Sequence, residues 1–314
     1  MRMTAELNIG MTVSAMFSRT SVSSIAFLLA LAAAAIGAEE ENAAVIEGEN
    51  LGVVVAHSHN DYYHERPLLD ALQLGFTSIE ADVFLVDGQL LVGHGRLELR
   101  RERTLEELYL KPLKKFVNER KSFTTGQTSA DEGSTSEKDA SEAAAPNMPK
   151  IWLLVDIKQD GVEAYAVLDR LLSQYADLLT RTENGQQING AVTVVVSGDR
   201  AQQQITDDQT RLVGIDGRQE DLDSDRSAEL VPWISENYRS HFTWNGEGEM
   251  PQVERHKLQE MVAKAHAHGR LLRFWATPET PQFWSTLLAN GVDILGTDQL
   301  EELSKFLQQP PAPK

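Results

Sequence analysis

Short, nearly continuous apolar runs recur along the chain and alternate with longer amphipathic stretches. The runs are "LGVVVAH", "TSIEADVFLV", "QLLVGH", "KIWLLVDIK", "AVTVVVSG", "RLVGID", "HFTW", "RLLRFWAT" and "GVDILGTD". Strands apolar at successive positions are covered on both faces, as in a parallel sheet. Between the runs, apolar spacings of three and four predict helices. "ERPLLDALQLG" has a proline near its start and stops at Gly75, the asymmetry that helices favour. "GVEAYAVLDRLLSQYADLL" and "QVERHKLQEMVAKAHAHG" repeat the pattern. "TPQFWSTLLANG" has a threonine cap, a proline and a terminal Gly291. Repeated strand–helix units across residues 50–308 predict a (β/α)8 TIM barrel, with a doubly wound open sheet as the competing arrangement. The "VDGQ" stretch between two strand signals reads as a hairpin, so the repeat is not regular there.

Two segments fall outside that domain. Arg19 precedes "SVSSIAFLLALAAAAIGAEEEN", whose apolar core Ile25–Ile36 is short for a membrane span and ends in small residues before turning acidic. That is the layout of a signal peptide over residues 1–38, with a retained membrane anchor as the alternative. It predicts an extracytoplasmic protein, periplasmic or secreted, with no stable membrane span after processing. Residues 121–149 are small and polar, read as a flexible insertion that cannot bury enough surface to offset its ordering entropy.

Composition narrows the chemistry. The net charge of −18 repels phosphate backbones and disfavours nucleic acid as a partner. The absence of cysteine excludes disulfides, thiolate metal sites and cysteine nucleophiles.

The remaining candidates stand at strand ends, where barrel active sites form. His57 and His59 close the first run. Glu80 and Asp82 lie two apart on the next, so they project to the same face. His94 closes a third run, and Asp156 and Lys158 end a fourth. Adjacent carboxylates repel unless a cation lies between them or one is protonated. A hard divalent cation, Mg²⁺ or Ca²⁺, satisfies three carboxylates with oxygen ligands. Lys158 supplies a positive charge for a phosphate oxygen. His57 and His94 are suited to general acid and base work near neutral pH. Trp275 in "RFWATP" is a candidate for the pocket wall.

These residues, in "AHSHND … IEADVFLVDGQLLVGH … LVDIK … GVDILGTD", resemble the glycerophosphodiester phosphodiesterase superfamily of phospholipase C-like barrels, closest to its altered inheritance of mitochondria protein 6-like branch. The resemblance implies a phosphoric diester hydrolase of the phospholipase C-like TIM-barrel type. It implies His57 and His94 as the catalytic histidines and Glu80, Asp82 and Asp156 as ligands of one divalent cation. Lys158 matches a phosphate-contacting lysine, and Asn60 matches a polar group near the metal. A glycerophosphodiester or another small-molecule or lipid-derived phosphodiester is the implied substrate. Where the superfamily shows His-Arg-Gly, this chain has His57-Ser58-His59, so no arginine stands there.

Three other readings remain open from sequence. His57-x-His59 also suits a Zn²⁺ or Mn²⁺ amidohydrolase-like barrel, although later strand ends offer no further histidine. A glycosidase would use Glu80 as acid or nucleophile. A catalytically silent binding protein fits the same barrel, since fold does not fix function.

Overall fold

The computed structural model describes residues 54–128 and 150–309. Eight parallel strands close into a ring: β1 (Val55–Ser58), β2 (Ser78–Val86), β4 (Ile151–Ile157), β7 (Val192–Gly198), β8 (Val213–Gly217), β9 (Trp233–Asn237), β10 (Leu271–Trp275) and β11 (Ile294–Thr297). β1 completes the ring by pairing with β2 on one side and β11 on the other. A ninth strand, β3 (Gln89–Val92), adds antiparallel to the far half of β2. Its turn at Asp87 and Gly88 has both residues at positive φ, the geometry of a tight hairpin loop. The small hairpin β5 (Arg181–Glu183) and β6 (Gln186–Ile188) lies outside the ring, turning on Asn184 and Gly185, again both at positive φ.

Helices return the chain between strands, including Gly161–Leu172, Gln252–Ala267, Pro281–Ala289 and Leu300–Gln308. Thr280 caps the third of these, its hydroxyl accepting from the Phe283 N–H at 3.3 Å. Most of the apolar core lies between the ring and these helices.

The ring interior is layered. Val55, Trp152, Leu154, Val195, Trp233, Leu271 and Ile294 form one buried apolar cluster, with the Trp152 and Trp233 rings 5.0 Å apart. Because side chains alternate along a strand, positions two and four residues further on face inward nearer the carboxyl ends. His57, Asp156, Ser197, Arg273 and Gly296 follow from Val55, Leu154, Val195, Leu271 and Ile294 in this way. The apolar layer therefore floors a polar one.

Sequence and structure differ in two places. "HFTW" forms no strand: His241 ends a short helix, Trp244 is buried, and its ring stacks on Phe283 at 5.1 Å. The ring strand is instead "WISEN", whose polar residues hide its strand character. The helix Lys111–Thr128 also carries order into the segment expected to be flexible, since extending a formed helix costs little compared with starting one. The rest of that segment and the leader at 1–38 lie outside the described residues.

One glycine is required by the site. Gly198 has φ +69°, and a Cβ there would lie 2.3 Å from the Ile157 carbonyl oxygen and 2.5 Å from Asp156 Oδ1. Gly198→Ala is expected to cost about 1–3 kcal/mol of stability through backbone strain and displacement of the end of β4 at Asp156 and Ile157. Urea denaturation checks this; a midpoint equal to wild type would refute it.

Candidate active site

Every predicted site residue lies at the carboxyl end of the ring. β1 delivers His57, and the loop after it delivers His59 and Asn60. β2 delivers Glu80 and Asp82, the turn after β3 delivers His94, β4 delivers Asp156 with Lys158 following, and β10 delivers Trp275. Asp82 and Asp156 are register partners on neighbouring strands.

The centre is a buried charge network. Glu80 Oε2 accepts from Arg273 Nη2 and from His57 Nε2, both at 2.8 Å. Burial alone would raise the Glu80 carboxyl pKa, but Arg273 and the His57 hydrogen bond hold it well below its ordinary value. His57 behaves oppositely: burial, reinforced by Arg273, pushes it down to about 4 against the pull of Glu80. The ring is therefore neutral, Nε2 carries the proton toward Glu80, and Nδ1 accepts from the Ser78 hydroxyl at 2.7 Å. His57 is fully buried with both ring nitrogens engaged. In this arrangement the imidazole holds Glu80 in place.

Asp82 is the second focus. Its Oδ2 accepts from Lys158 Nζ at 2.8 Å and His94 Nδ1 at 2.9 Å. Tyr62 Oη lies 2.7 Å from the same oxygen and 2.6 Å from Asn60 Oδ1, and gives its one proton to one of them. Asp82 Oδ1 is buried and has no partner. One oxygen each from Glu80, Asp82 and Asp156 lie within 4.8 Å of one another. Burial, with Asp82 and Glu80 nearby, raises Asp156 to about 6 although Lys158 Nζ stands 3.3 Å away and opposes the shift. An orphaned buried oxygen and a carboxylate that resists ionising fit a centre that takes a hard cation with oxygen ligands. No histidine belongs to this cluster.

His94 and His59 flank the cluster and reach solvent, with side chains 59% and 36% exposed. Trp275, 42% exposed, lines a pocket with His59, Arg273, Glu279 and Asp298.

Sequence reading missed several members. Arg273 stands two residues before Trp275 and so shares its face; that spacing is the one signal for it. It supplies an interior positive charge beside Glu80. Ser78 precedes Glu80 by two residues on the same face. Asp61 accepts from the Ser58 hydroxyl at 2.8 Å and the Leu68 N–H at 2.5 Å, which fixes the loop carrying His59, Asn60 and Tyr62. Of the other histidines, His266 is buried beside Asp293 at 2.9 Å and His241 meets Glu236 at 2.9 Å.

The His57 environment sets a pH prediction. A histidine whose folded pKa lies below its unfolded value contributes least to stability when protonated. Its contribution falls as pH drops from about 6.5 toward 4. In EDTA, the stability of wild type relative to His57→Gln is expected to fall by about 1–3 kcal/mol between pH 7.5 and 4.5. Denaturant midpoints at the two pH values check this; a pH-independent difference would contradict it.

Comparison with known proteins identifies the family. The family model described as an AIM6-like phosphodiesterase domain matches residues 48–214, more than half of the chain. An altered inheritance of mitochondria protein 6 homolog from Arthroderma benhamiae is 31% identical over 79% of this chain and 82% of its own length. Altered inheritance of mitochondria protein 6 from Lachancea thermotolerans is 30% identical over 81% of this chain and 66% of its own. A glycerophosphodiester phosphodiesterase of known structure from Parabacteroides distasonis aligns with a TM-score of 0.48 and 18% identity, covering 81% of this chain and 96% of that one. On the family match and the Arthroderma relative, the chain belongs to the AIM6-like phosphodiesterase domain family.

Proposed function

We propose that the protein is a metal-dependent phosphoric diester hydrolase acting on a small-molecule phosphodiester, such as a glycerophosphodiester or a phospholipid-derived diester. The observation that carries this reading is the clustering of Glu80, Asp82 and Asp156 within 4.8 Å, with Asp82 Oδ1 buried and without a hydrogen-bond partner among the described residues, in a family of phosphodiesterase domains. Glu80, Asp82 and Asp156 would hold one Mg²⁺ or Ca²⁺. When bound, that cation supplies charge neutralisation at the phosphate oxygens.

The chain's own groups account for the rest. Lys158 keeps its proton: burial disfavours the charge, but Asp156 and Asp82 outweigh it. It therefore offers a fixed positive charge to a phosphate oxygen. His94 is anchored through Nδ1 on Asp82, which leaves Nε2 for a proton. It acts as general base on the nucleophile, either water or a substrate hydroxyl. Arg273 and His57 hold Glu80 ionised and aimed. Asn60 fixes Tyr62 and Asp298, while Trp275 forms part of the substrate wall. The leader-like segment at 1–38 supports action outside the cytoplasm.

A silent binding protein on this barrel is the competing reading. Purified protein is expected to cleave bis(p-nitrophenyl) phosphate with Mg²⁺ or Ca²⁺ and to stop in EDTA. Asp82→Asn is expected to lose metal affinity and activity together. His94→Ala is expected to bind metal normally and lose about 10²–10⁴-fold in kcat. Folded wild-type protein that takes up no divalent cation in a calorimetric titration would remove the reading.

A further inference from the structure

We propose that His59, oriented by Asp298, is the general acid that protonates the leaving alkoxide. This rests on the phosphodiesterase reading above and adds a catalytic residue to it.

The buried position of His57 leaves the reaction one proton donor short. Both His57 nitrogens are bonded inside the protein, so the ring reaches neither solvent nor substrate. His59, two residues later on the same inward-facing register, is open. Its Nδ1 donates to Asp298 Oδ1 at 2.8 Å, and Nε2 has no partner among the described residues. A carboxylate on one ring nitrogen fixes tautomer and orientation and favours the imidazolium, the form a general acid needs. The charges facing His59 are Asp298 after β11, Glu80 on β2 and Arg273 on β10, with Glu279 on the same pocket wall. Burial opposes protonation and Arg273 adds to that, but the Asp298 hydrogen bond and Glu80 outweigh them and the His59 pKa is raised.

The two open histidines are connected. Asn60 Nδ2 lies 2.9 Å from His59 Nδ1 and donates to Asp298 Oδ1 at 3.4 Å. Its Oδ1 meets Tyr62 Oη, which also stands 3.3 Å from His94 Nδ1. His59 is thus linked to His94 through Asp298, Asn60 and Tyr62, along the Asp82 side of the acidic centre. Asn60 adopts φ +48° to make it, a left-handed conformation that asparagine tolerates better than most residues.

The step balances. His94 Nε2 takes a proton from water as the water oxygen bonds to phosphorus. The bond from phosphorus to the leaving oxygen breaks with its electron pair on that oxygen, which takes the proton from His59 Nε2. Solvent restores both rings.

The test compares two methyl phosphodiesters, one with p-nitrophenyl and one with phenyl as leaving group, on the full-length protein at saturating Mg²⁺. The more basic phenolate depends more on a proton donor. His59→Ala is expected to lose about 10²–10⁴-fold in kcat on the phenyl ester. Its loss on the p-nitrophenyl ester is expected to be smaller by about tenfold or more, with Mg²⁺ affinity within about twofold of wild type. Asp298→Asn is expected to lower kcat at little-changed KM and to move the alkaline limb of the kcat–pH profile to lower pH. Equal losses on both esters, or none, overturn the acid role, as does weakened Mg²⁺ binding in His59→Ala. If that variant fails to fold, His59→Gln is read by the same criteria. Wild-type protein that cleaves neither ester removes the phosphodiesterase reading and this proposal with it, an outcome distinct from failure of the variant alone.

Discussion

The contact between Arg273 and Glu80 carries the rest of the site. Two opposite charges meet inside the ring, each almost fully buried. Taking them out of water is costly, and the cost is offset only when each charge has a partner and further hydrogen bonds. Glu80 has its second bond from His57, whose other nitrogen rests on Ser78. Removing any member leaves a buried group without a partner. The network therefore fixes the acidic centre as a unit: Arg273 favours the ionised form of Glu80, and burial, reinforced by Arg273, favours the neutral form of His57.

Around that pair, the ring separates two tasks by depth. Trp152, Trp233 and their aliphatic neighbours fill the floor and supply packing. The next inward-facing positions supply polar groups. A second cluster, Asp216 with Ser197, Arg218 and Trp233, occupies the opposite arc: Asp216 Oδ2 accepts from Ser197 and Arg218 at 2.7 Å each, and Oδ1 accepts from the Trp233 indole at 2.7 Å. That cluster is satisfied internally, whereas the Asp82 side keeps a free buried oxygen. The two arcs differ in what they leave available to a ligand.

Much of this was legible in the sequence because strand periodicity and strand ends coincide with the chemistry. Glu80 and Asp82 share a face by spacing alone, and Asp156 and Lys158 end the neighbouring strand. What spacing does not contain is ring closure. Arg273 meets Glu80 from 193 residues away, and Asp298 meets His59 from 239 residues away. Both contacts exist because the ring brings late strands back to early ones. The misplaced seventh apolar run has a similar cause: "HFTW" owes its apolar character to packing against Phe283, while "WISEN" is a strand by its pairing with β8 and β10. The complete burial of His57 was not legible, because no sequence position states it.

The hairpin β2–β3 carries one more implication. Every ring strand is paired on both sides, whereas among the described residues β3 pairs with β2 on one side and meets just the Arg103–Thr104 backbone on the other. His94 rides at its end. Glu80 and Asp82 are thus anchored in the closed ring, and His94 hangs from an open edge. A cyclic sheet resists local opening everywhere along its circumference, whereas an appended strand can loosen while the circle stays intact. The protein is built so that its barrel and its reactive geometry need not fail together.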